Sequence, residues 1–481
     1  MDIRITHASY LAGAGKIRVF FSPNNFSGSG VRKILLSLAI VGIAPFSYAD
    51  QDEVLPRISK EAAQSDASAS DSPWAVSAQL TNITQKHDVF RSPYSGTNSL
   101  TANGRMEETT DMTLFAGVRL GTNTELWLNP EIDQGFGLSN TLGVAGYPSG
   151  GAYKLGANTP YLRLPRAFIR HVISLGNTAE NVDAAANQFA GSRSVENLTL
   201  TFGKFSVVDI FDTNTYAHDP RADFLNWSII EAGAFDYAAD VWGYTNGVAA
   251  EWNQQWGALR AGLFQLSPEP NSKITGIKTA QYSFITEWEK RIAWQGHPGK
   301  IKLLGFINRA NMSTYQDALK LAALTGNTPD VALTRHMNSN VGYSLNIEQE
   351  LANDLGLFVR LSKNRGDKEA YEFTDINQSA SMGLALKGDR WGRHDDTLGI
   401  AAVVNGLSSD AKQYFSAGGL GVLIGDGRLH YAPETIFEAY YAMKLHPQLT
   451  LSIDFQHITN PAYNRDRGPV SVYGARFHAE F

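Results

Sequence analysis

The final stretch of the chain, Val470 to Phe481, alternates in polarity at nearly every residue and reads VSVYGARFHAEF. Successive side chains of a β-strand point to opposite faces, so this stretch predicts a strand with one apolar and one polar face. The apolar face carries Tyr473, Ala475, Phe477, Ala479 and Phe481, and the polar face carries Gly474, Arg476, His478 and Glu480. In a membrane barrel the apolar face meets lipid and the polar face lines a wet lumen. An alternating strand that stops on Phe is typical of outer-membrane β-barrels, and we expect the barrel-assembly machinery to recognise Phe481.

The composition suits one large β-rich unit and excludes several kinds of site. The chain has 44 Gly, 24 Phe, 19 Tyr and 9 Trp, which fits many short strands, tight turns and interfacial aromatic rings. It has no Cys, which excludes disulfide frameworks and thiolate metal sites. The net charge of −6 comes without a basic block, so nucleic-acid binding is not expected.

A single long apolar run, Ile34 to Phe46, lies near the N-terminus. It is too short to span a membrane as a helix. A basic pair precedes it and small residues ending at Ala49 follow it, which is the pattern of a signal peptide. We therefore expect residues 1–49 to be a signal-peptide region for export to the outer membrane, cleaved after Ala49. Residues 1–30 either precede a true translation start at Val31 or extend the charged N-terminal region.

Two further segments follow the predicted cleavage site. Residues 50–72 are rich in Asp, Glu, Ser, Ala and Gln without an apolar period, which predicts a flexible periplasmic leader. Residues 73–481 show no second linker, and alternating segments recur to the end. With about 9–11 residues per spanning strand, and roughly 25 once its connection is included, this length predicts about 16 strands. The predicted fold class is therefore all-β, a transmembrane antiparallel β-barrel.

Two hairpins can be read directly from the sequence. In Tyr343 to Ser362, two alternating runs flank Asn353-Asp354, and both residue types tolerate turn dihedrals. Phe437 to Leu445 and Leu449 to Phe455 form a second pair around His446-Pro447. We expect tight turns at one end of the barrel and longer polar loops at the other.

Two stretches inside this β pattern predict short helices. Thr314 to Thr325 starts with a capping residue and is followed by Gly326. Ser409 to Ala417 is followed by Gly418-Gly419 in the same way. In a barrel such helices lie in loops, where they either cap the mouth or fold into the lumen.

Several segments resemble the OprB-type carbohydrate-selective porins. They are Gly137 to Gly146, Lys204 to Trp227, Glu231 to Gly247 and the closing sequence Asn460 to Phe481. The segments occur in family order through essentially the whole predicted mature chain. The resemblance implies a 16-stranded barrel that passes small sugars passively and needs no cofactor, but it does not identify the sugar.

A sugar path needs aromatic faces that stack on the C–H faces of a pyranose and charged groups that bond its hydroxyls. The stretch Tyr161 to Arg170 holds Arg163, Arg166 and Arg170, interrupted by Pro165. These arginines are candidates for a basic pore wall. Alternatively, one or two of them face the periplasm or pair with neighbouring carboxylates.

Asp209 and Asp212 begin an acidic segment that also contains Asp219, Arg221 and Asp223. An acidic loop opposite a basic wall would set a transverse field that orients polar solutes. The alternative, which we favour for Asp219 and Arg221, is a network that holds a loop against the barrel wall. The spacing of the aspartates does not follow a dedicated Ca²⁺ loop, and we expect no metal site.

Further candidates come from a mixed aromatic and acidic segment and from strand alternation. Asp236, Tyr237 and Asp240 are candidate sugar contacts, whereas the nearby Trp242 and Tyr244 are alternatively residues of an interfacial aromatic belt. Alternation places five charged side chains toward the lumen, namely Glu348, Glu350, Arg360, Arg476 and Glu480.

The sequence lacks G-x-S-x-G, H-E-x-x-H and phosphate-loop motifs, so a channel is expected rather than an enzyme. Three rivals remain: a general porin without sugar preference, an outer-membrane hydrolase on a barrel scaffold, and a plugged structural barrel. Monomer and trimer are both open.

Overall fold

The chain folds as a closed antiparallel β-barrel in a computed structural model that describes residues 72–152 and 156–481. Within these residues there are eighteen strands, of which sixteen form the barrel and two form a separate small sheet. In chain order the strands are β1 (Trp74–His87), β2 (Arg105–Gly121), β3 (Thr124–Gly135), β4 (Ala157–Ser174), β5 (Ala179–Val182), β6 (Gly191–Ser194), β7 (Asn197–Phe205), β8 (Thr245–Gln254), β9 (Gly257–Gln265), β10 (Tyr282–Trp294), β11 (His297–Met312), β12 (His336–Ala352), β13 (Leu355–Asn364), β14 (Gln378–Gly388), β15 (Arg393–Gly406), β16 (Glu434–His446), β17 (Leu449–Thr459) and β18 (Val470–Glu480).

The first and last strands close the barrel. β1 pairs antiparallel with β18, so that Leu80 lies opposite Ala479. The backbone N–H of Phe481 donates to the carbonyl of Ala78 (2.8 Å) and completes this seam. The other barrel strands pair with their neighbours in sequence, except that β4 pairs with β7 because β5 and β6 lie outside the barrel sheet. The predicted all-β barrel of about 16 strands is confirmed.

Alternation along each strand separates an outer apolar face from an inner polar face. On β12, Glu348 is buried inside, whereas Tyr343 is 62% exposed on the outside. On β13, Arg360 is buried and Leu361 is exposed. Large exposed apolar side chains recur on the outward positions of the barrel strands, which is the pattern of a lipid-facing band. Both predicted hairpins are confirmed, with turns at residues 353–354 and 447–448.

The connections differ at the two ends of the barrel. One end, here termed the turn end, has tight turns at residues 122–123, 255–256, 295–296, 353–354, 389–392 and 447–448. The opposite end, termed the loop end, carries long connections such as residues 313–335 and 407–433. In outer-membrane barrels the short turns face the periplasm. At the turn end the connection of residues 175–196, termed the turn-end hairpin, is much longer than these turns and contains β5 and β6.

Tryptophans mark the turn end of the outer surface. Trp74, Trp252, Trp294 and Trp391 all lie near strand ends on this side and are exposed. The Trp391 indole N–H donates to the Tyr441 hydroxyl (2.9 Å). Amphipathic rings at this height are typical of a membrane–water interface.

The helices lie in the connections at the loop end. They are α1 (Trp227–Ile230), α2 (Tyr315–Thr325) and α3 (Ser409–Ser416). Thr314 caps α2 by accepting the backbone N–H of Asp317, and Gly326 ends it with φ of 72°. The predicted loop helices are confirmed, and α3 ends one residue earlier than expected. Across the parts of the chain that the structure describes, no helix is both long and apolar enough to cross a membrane.

The predicted signal-peptide region, residues 1–49, lies outside the described residues. So does the predicted leader, apart from its last residue.

Replacing Leu303 with Arg is expected to destabilise the barrel by about 2–4 kcal/mol, because it puts a charge near the middle of the lipid-facing band. Leu303 lies midway along β11 and is 50% exposed on the outer face. The measurement is equilibrium urea unfolding in lipid vesicles.

The matched control is Leu445→Arg, since Leu445 is 55% exposed near the turn end of β16. Near the interface the same charge should cost about 0–1 kcal/mol. Equal losses for the two variants would contradict the assignment of the outer face to lipid.

Candidate functional site

The connection from β7 to β8, residues 206–244, folds inside the barrel and is termed the inward loop. Glu438 on β16 accepts the backbone N–H of Leu225, and Glu348 on β12 accepts that of Thr215. A loop shielded from bulk water needs partners for its backbone groups. Inward-facing carboxylates of the wall supply them and so determine where the loop lies.

A buried ion pair holds the inward loop to β13. Arg360 is 1% exposed, and its Nε lies 3.3 Å from Asp212 Oδ1. The guanidinium also donates to the carbonyls of Ala217 (2.8 Å) and Ile229 (3.0 Å). The second oxygen of Asp212 accepts the backbone N–H of Ala232 (2.7 Å). One pair therefore ties distant parts of the loop to a single point on the wall.

Glu231 lies in the same interior and is buried. Burial raises the pKa of its carboxyl well above the usual value, and the Asp212 carboxylate raises it further against the opposing effect of Arg360. Burial and Asp212 thus both disfavour the charged form of Glu231, and Asp212 is the carboxylate that pairs with Arg360.

Arg476 on β18 also holds the inward loop. It donates to the carbonyls of Pro220 (2.8 Å), Ala222 (2.7 Å) and Asp223 (2.6 Å). Both inward arginines that alternation singled out, Arg360 and Arg476, therefore support the loop. Their buried guanidinium groups are engaged with loop backbone.

Arg221 of the inward loop contacts the wall at β2 and β3. Its Nε lies 3.1 Å from Asp111 on β2, and its Nη2 lies 3.7 Å from Glu131 on β3. Asp219 accepts the Arg221 backbone N–H (2.8 Å). These contacts match the favoured interpretation of Asp219 and Arg221 as a network that holds a loop against the barrel.

The three arginines of β4 all face the lumen because the strand contains a β-bulge. Arg163 lies opposite Glu131 and Arg166 opposite Asn129, so three residues of β4 span two of β3. Without the extra residue, Arg163 and Arg166 would point to opposite faces. Pro165 lies within the bulge, where the loss of a backbone N–H is tolerated.

Each arginine of β4 contacts a different partner. Arg163 forms ion pairs with Glu131 and Asp133 of the wall. Arg166 makes a two-pronged pair with Asp209 of the inward loop, at 2.8 and 2.6 Å. Arg170 donates to a backbone carbonyl of the turn-end hairpin. All three arginines thus have a carboxylate partner, since Arg170 Nη1 also lies 3.6 Å from Glu125, and the side chains of Arg163 and Arg166 remain partly exposed.

Aromatic rings complete this part of the wall. The guanidinium carbons of Arg163 and Arg166 lie 5.2 and 5.0 Å from the centre of the Tyr244 ring. Arg163 also lies 5.7 Å from the Trp242 ring, whose indole N–H donates to the Tyr161 hydroxyl (3.1 Å). These five residues are termed the arginine–aromatic cluster. Trp242 and Tyr244 thus lie inside, so their alternative assignment to an interfacial belt is wrong.

Asp236, Tyr237 and Asp240 are buried among loops. Asp236 accepts backbone N–H groups from residues 371–373 at 2.7–3.0 Å. Tyr237 is 3% exposed, and Asp240 accepts the backbone N–H of Trp242 (3.0 Å). In this arrangement the two carboxylates support loop backbone, and none of the three side chains presents an open face to a solute.

Glu350 and Glu480 lie near the turn end with histidine partners. His297 Nδ1 is 2.9 Å from Glu350, and His478 Nε2 is 3.0 Å from Glu480. Glu348, by contrast, is engaged with the inward loop and with Lys300 (3.1 Å). A role for any of these three in contacting solutes stays a prediction.

Sequence reasoning missed the acidic partners of Arg163. The side chains of Glu131 and Asp133 on β3 are fully buried, whereas Ile132 between them is exposed on the outer face. This acid–apolar–acid alternation was readable in the sequence. Within residues 72–152 and 156–481, no group of three or more His, Asp or Glu side chains is arranged to hold a metal ion.

Comparison with known proteins identifies a family model and a shared fold. The model described as carbohydrate-selective porin, OprB family, matches residues 97–481. The high-pH structure of Pseudomonas putida OprB aligns with a TM-score of 0.65 at 16% sequence identity, covering 85% of this chain and 94% of that chain. At this identity the structural likeness shows the fold alone. The family resemblance inferred from the sequence is confirmed.

Two sequence relatives are chlamydial proteins named Porin AaxA. The protein of Chlamydia abortus is 22% identical over 280 residues, and that of Chlamydia caviae is 23% identical over 281 residues. Each match covers 58% of this chain and 53% of the relative. The chain therefore spans about half the length of these relatives.

Replacing Arg360 with Ala is expected to loosen the inward loop and lower the free energy of unfolding by about 3–5 kcal/mol, because Asp212 keeps a buried charge without its partner. The readouts are the thermal unfolding midpoint in detergent and the noise of the open-channel current.

The matched control is Arg390→Ala, which removes an ion pair with Asp354 in a tight turn, where the Arg390 side chain is 58% exposed. Water and salt screen an exposed pair so that it contributes little to stability, and this variant should therefore behave as the wild type. Equal behaviour of the two variants would mean that Arg360 does not hold the loop.

Proposed function

The chain belongs to the carbohydrate-selective porin, OprB family, and on this basis we propose that it forms a water-filled channel for passive diffusion of small sugars across the bacterial outer membrane. The family and the fold indicate a channel rather than an enzyme. The preference for sugars is the finer part of the proposal, and it depends on the inner wall.

The arginine–aromatic cluster is the observation that carries this preference. Sugars offer hydroxyl groups that accept hydrogen bonds and apolar C–H faces that stack on aromatic rings. The cluster presents guanidinium groups next to the rings of Tyr161, Trp242 and Tyr244 on one stretch of wall. A pyranose therefore finds both kinds of partner at the same height of the pore.

The two arginines of the cluster are partly exposed, and each is paired with carboxylates. The side chains of Arg163 and Arg166 are 12% and 17% exposed, whereas those of Glu131 and Asp133 are fully buried. The buried carboxylates of Glu131 and Asp133 offset the charge of Arg163, and the carboxylate of Asp209 offsets that of Arg166. Contacts of this kind with a neutral solute are weak enough to allow release, as conduction requires.

The proposal includes export and membrane insertion. A signal peptide ending near Ala49 would direct the chain out of the cytoplasm, and Phe481 would be recognised by the barrel-assembly machinery. The outward apolar face contacts outer-membrane lipid. No cofactor is required for passive diffusion, and both a monomer and a trimer are compatible with the barrel.

A general porin without sugar preference is the rival of the same class, and liposome swelling separates the two. Vesicles containing the protein are expected to swell faster in monosaccharides than in neutral amino acids of similar size, because only the sugars match the donors and ring faces of the cluster. The control is the Arg390→Ala variant, which should keep this difference. Equal rates for sugars and amino acids would refute the sugar preference and leave a general porin.

Replacing Arg166 with Ala is expected to shift ion selectivity toward cations by about twofold or more, because the wall loses a guanidinium and Asp209 loses its partner. The measurement is the reversal potential of a planar bilayer under a salt gradient. Asp209→Asn is the matched variant and should shift the potential in the opposite direction. Unchanged potentials in both variants would place this pair away from the ion path.

A further inference from the structure

The turn-end hairpin, residues 175–196, is a folded element. β5 and β6 pair antiparallel, and at its tip Ala185 and Gln188 exchange two backbone hydrogen bonds (3.1 and 3.0 Å). Asn187 at the tip has φ of 58°, a left-handed conformation that Asn tolerates in tight turns. At its base the Leu175 backbone N–H donates to the Glu196 carbonyl (2.8 Å).

The tip of the hairpin lies against the inner face of the barrel wall. Phe189 is 7% exposed, and its ring centre lies 5.0 Å from that of Trp127 on β3. The guanidinium carbon of Arg119 on β2 lies 4.6 Å from the Phe189 ring. Trp127 and Arg119 occupy inward positions, since their strand neighbours Leu128 and Val118 are exposed on the outer face. Phe189 is therefore inside the turn end of the lumen.

Two arginines of the wall hold the tip in this place. Arg119 Nη2 donates to the carbonyl of Ala190 (2.6 Å), and Arg170 Nη1 donates to the carbonyl of Asn187 (2.8 Å). Hydrogen bonds from a charged donor are stronger than those between neutral groups. The hairpin is thus held to β2 and β4 through the carbonyls of Ala190 and Asn187 near its tip.

A glycine on the neighbouring strand leaves room for the Trp127 ring that contacts Phe189. Trp127 lies across Gly117 of β2, where an added Cβ would come within 2.6 Å of the indole ring. Only glycine leaves room for the ring at this position. The indole can therefore lie flat on the wall and present its other side to Phe189.

We propose that the turn-end hairpin is a second size-selecting constriction of the pore, in series with the arginine–aromatic cluster. Its specificity-determining part is the tip around Asn187, which Phe189, buried against Trp127 and Arg119, positions inside the lumen. This inference rests on the proposed function, because it concerns the same solute path. Arg166 fastens the inward loop and Arg170 fastens the hairpin on the same strand, so both segments narrow the lumen along one line of wall.

The test uses the full barrel with a shortened connection, in which residues 177–194 are replaced by two glycines. Removing the hairpin should raise single-channel conductance by about twofold, because conductance follows the open cross-section at a constriction. Liposome swelling should extend to a trisaccharide that the wild type excludes, while monosaccharide rates change little. Heat-modifiable migration in gels reports whether the variant barrel is folded.

Two point variants keep the test decisive if the shortened barrel does not fold. Phe189→Ala should raise conductance in the same direction by a smaller factor. Ala186→Cys places a thiol beside the tip in a chain that has no other cysteine. A charged thiol reagent should then reduce the current through this variant. Gln448→Cys in the tight turn between β16 and β17 is the control, and its modification should leave the current unchanged.

The outcomes separate this inference from the proposed function. If the wild type conducts sugars, but conductance, size limit and thiol sensitivity are the same without the hairpin contacts, the second constriction is refuted and the sugar channel stands. If neither wild type nor variants conduct, the proposed function fails and the constriction fails with it.

Discussion

The structure depends on how the inward loop satisfies its backbone groups inside the barrel. An unpaired buried N–H or C=O costs as much as a lost hydrogen bond, so a loop can occupy a lumen only if the wall provides partners. Here acidic wall residues such as Glu348 and Glu438 accept loop N–H groups, and Arg360 and Arg476 donate to loop carbonyls. The inward charges of the wall therefore hold the loop in place, and we propose that those that remain partly exposed contact solutes.

The barrel was predictable because its signals are local. Alternation over ten residues, an Asn-Asp turn and a Thr cap followed by Gly each act within a few positions, and all were read correctly. The inward fold of residues 206–244 was not predictable in this way. Its main ion pair joins Asp212 and Arg360, which are 148 residues apart, and nothing in either neighbourhood indicates the other.

The candidate site was likewise predictable only in part from the sequence. Three arginines on one stretch drew attention from their type and density alone, but strict alternation would have placed Arg163 and Arg166 on opposite faces. The bulge at Pro165 reverses that expectation. Conversely, alternation predicted that Arg360 and Arg476 face inward. It could not predict that their guanidinium groups donate to carbonyls of the inward loop. Residue type indicated that charged side chains line the inner wall. Only the strand register and the loop contacts showed which partner each side chain has.

Because Arg166 and Arg170 share one strand, the interval between the two proposed constrictions is set by the strand itself. Four residues of β-structure span roughly 13 Å. Movement of the inward loop or of the turn-end hairpin would change the width of the lumen at that segment. The spacing between Arg166 and Arg170 would stay the same, because a strand that is hydrogen-bonded on both sides in a closed sheet does not stretch. If both constrictions exist, a solute shorter than this interval would leave one segment before it contacts the other, whereas a longer solute would contact both at once. The β4 strand would then act as a ruler for solute length, separately from the solute girth that each opening admits.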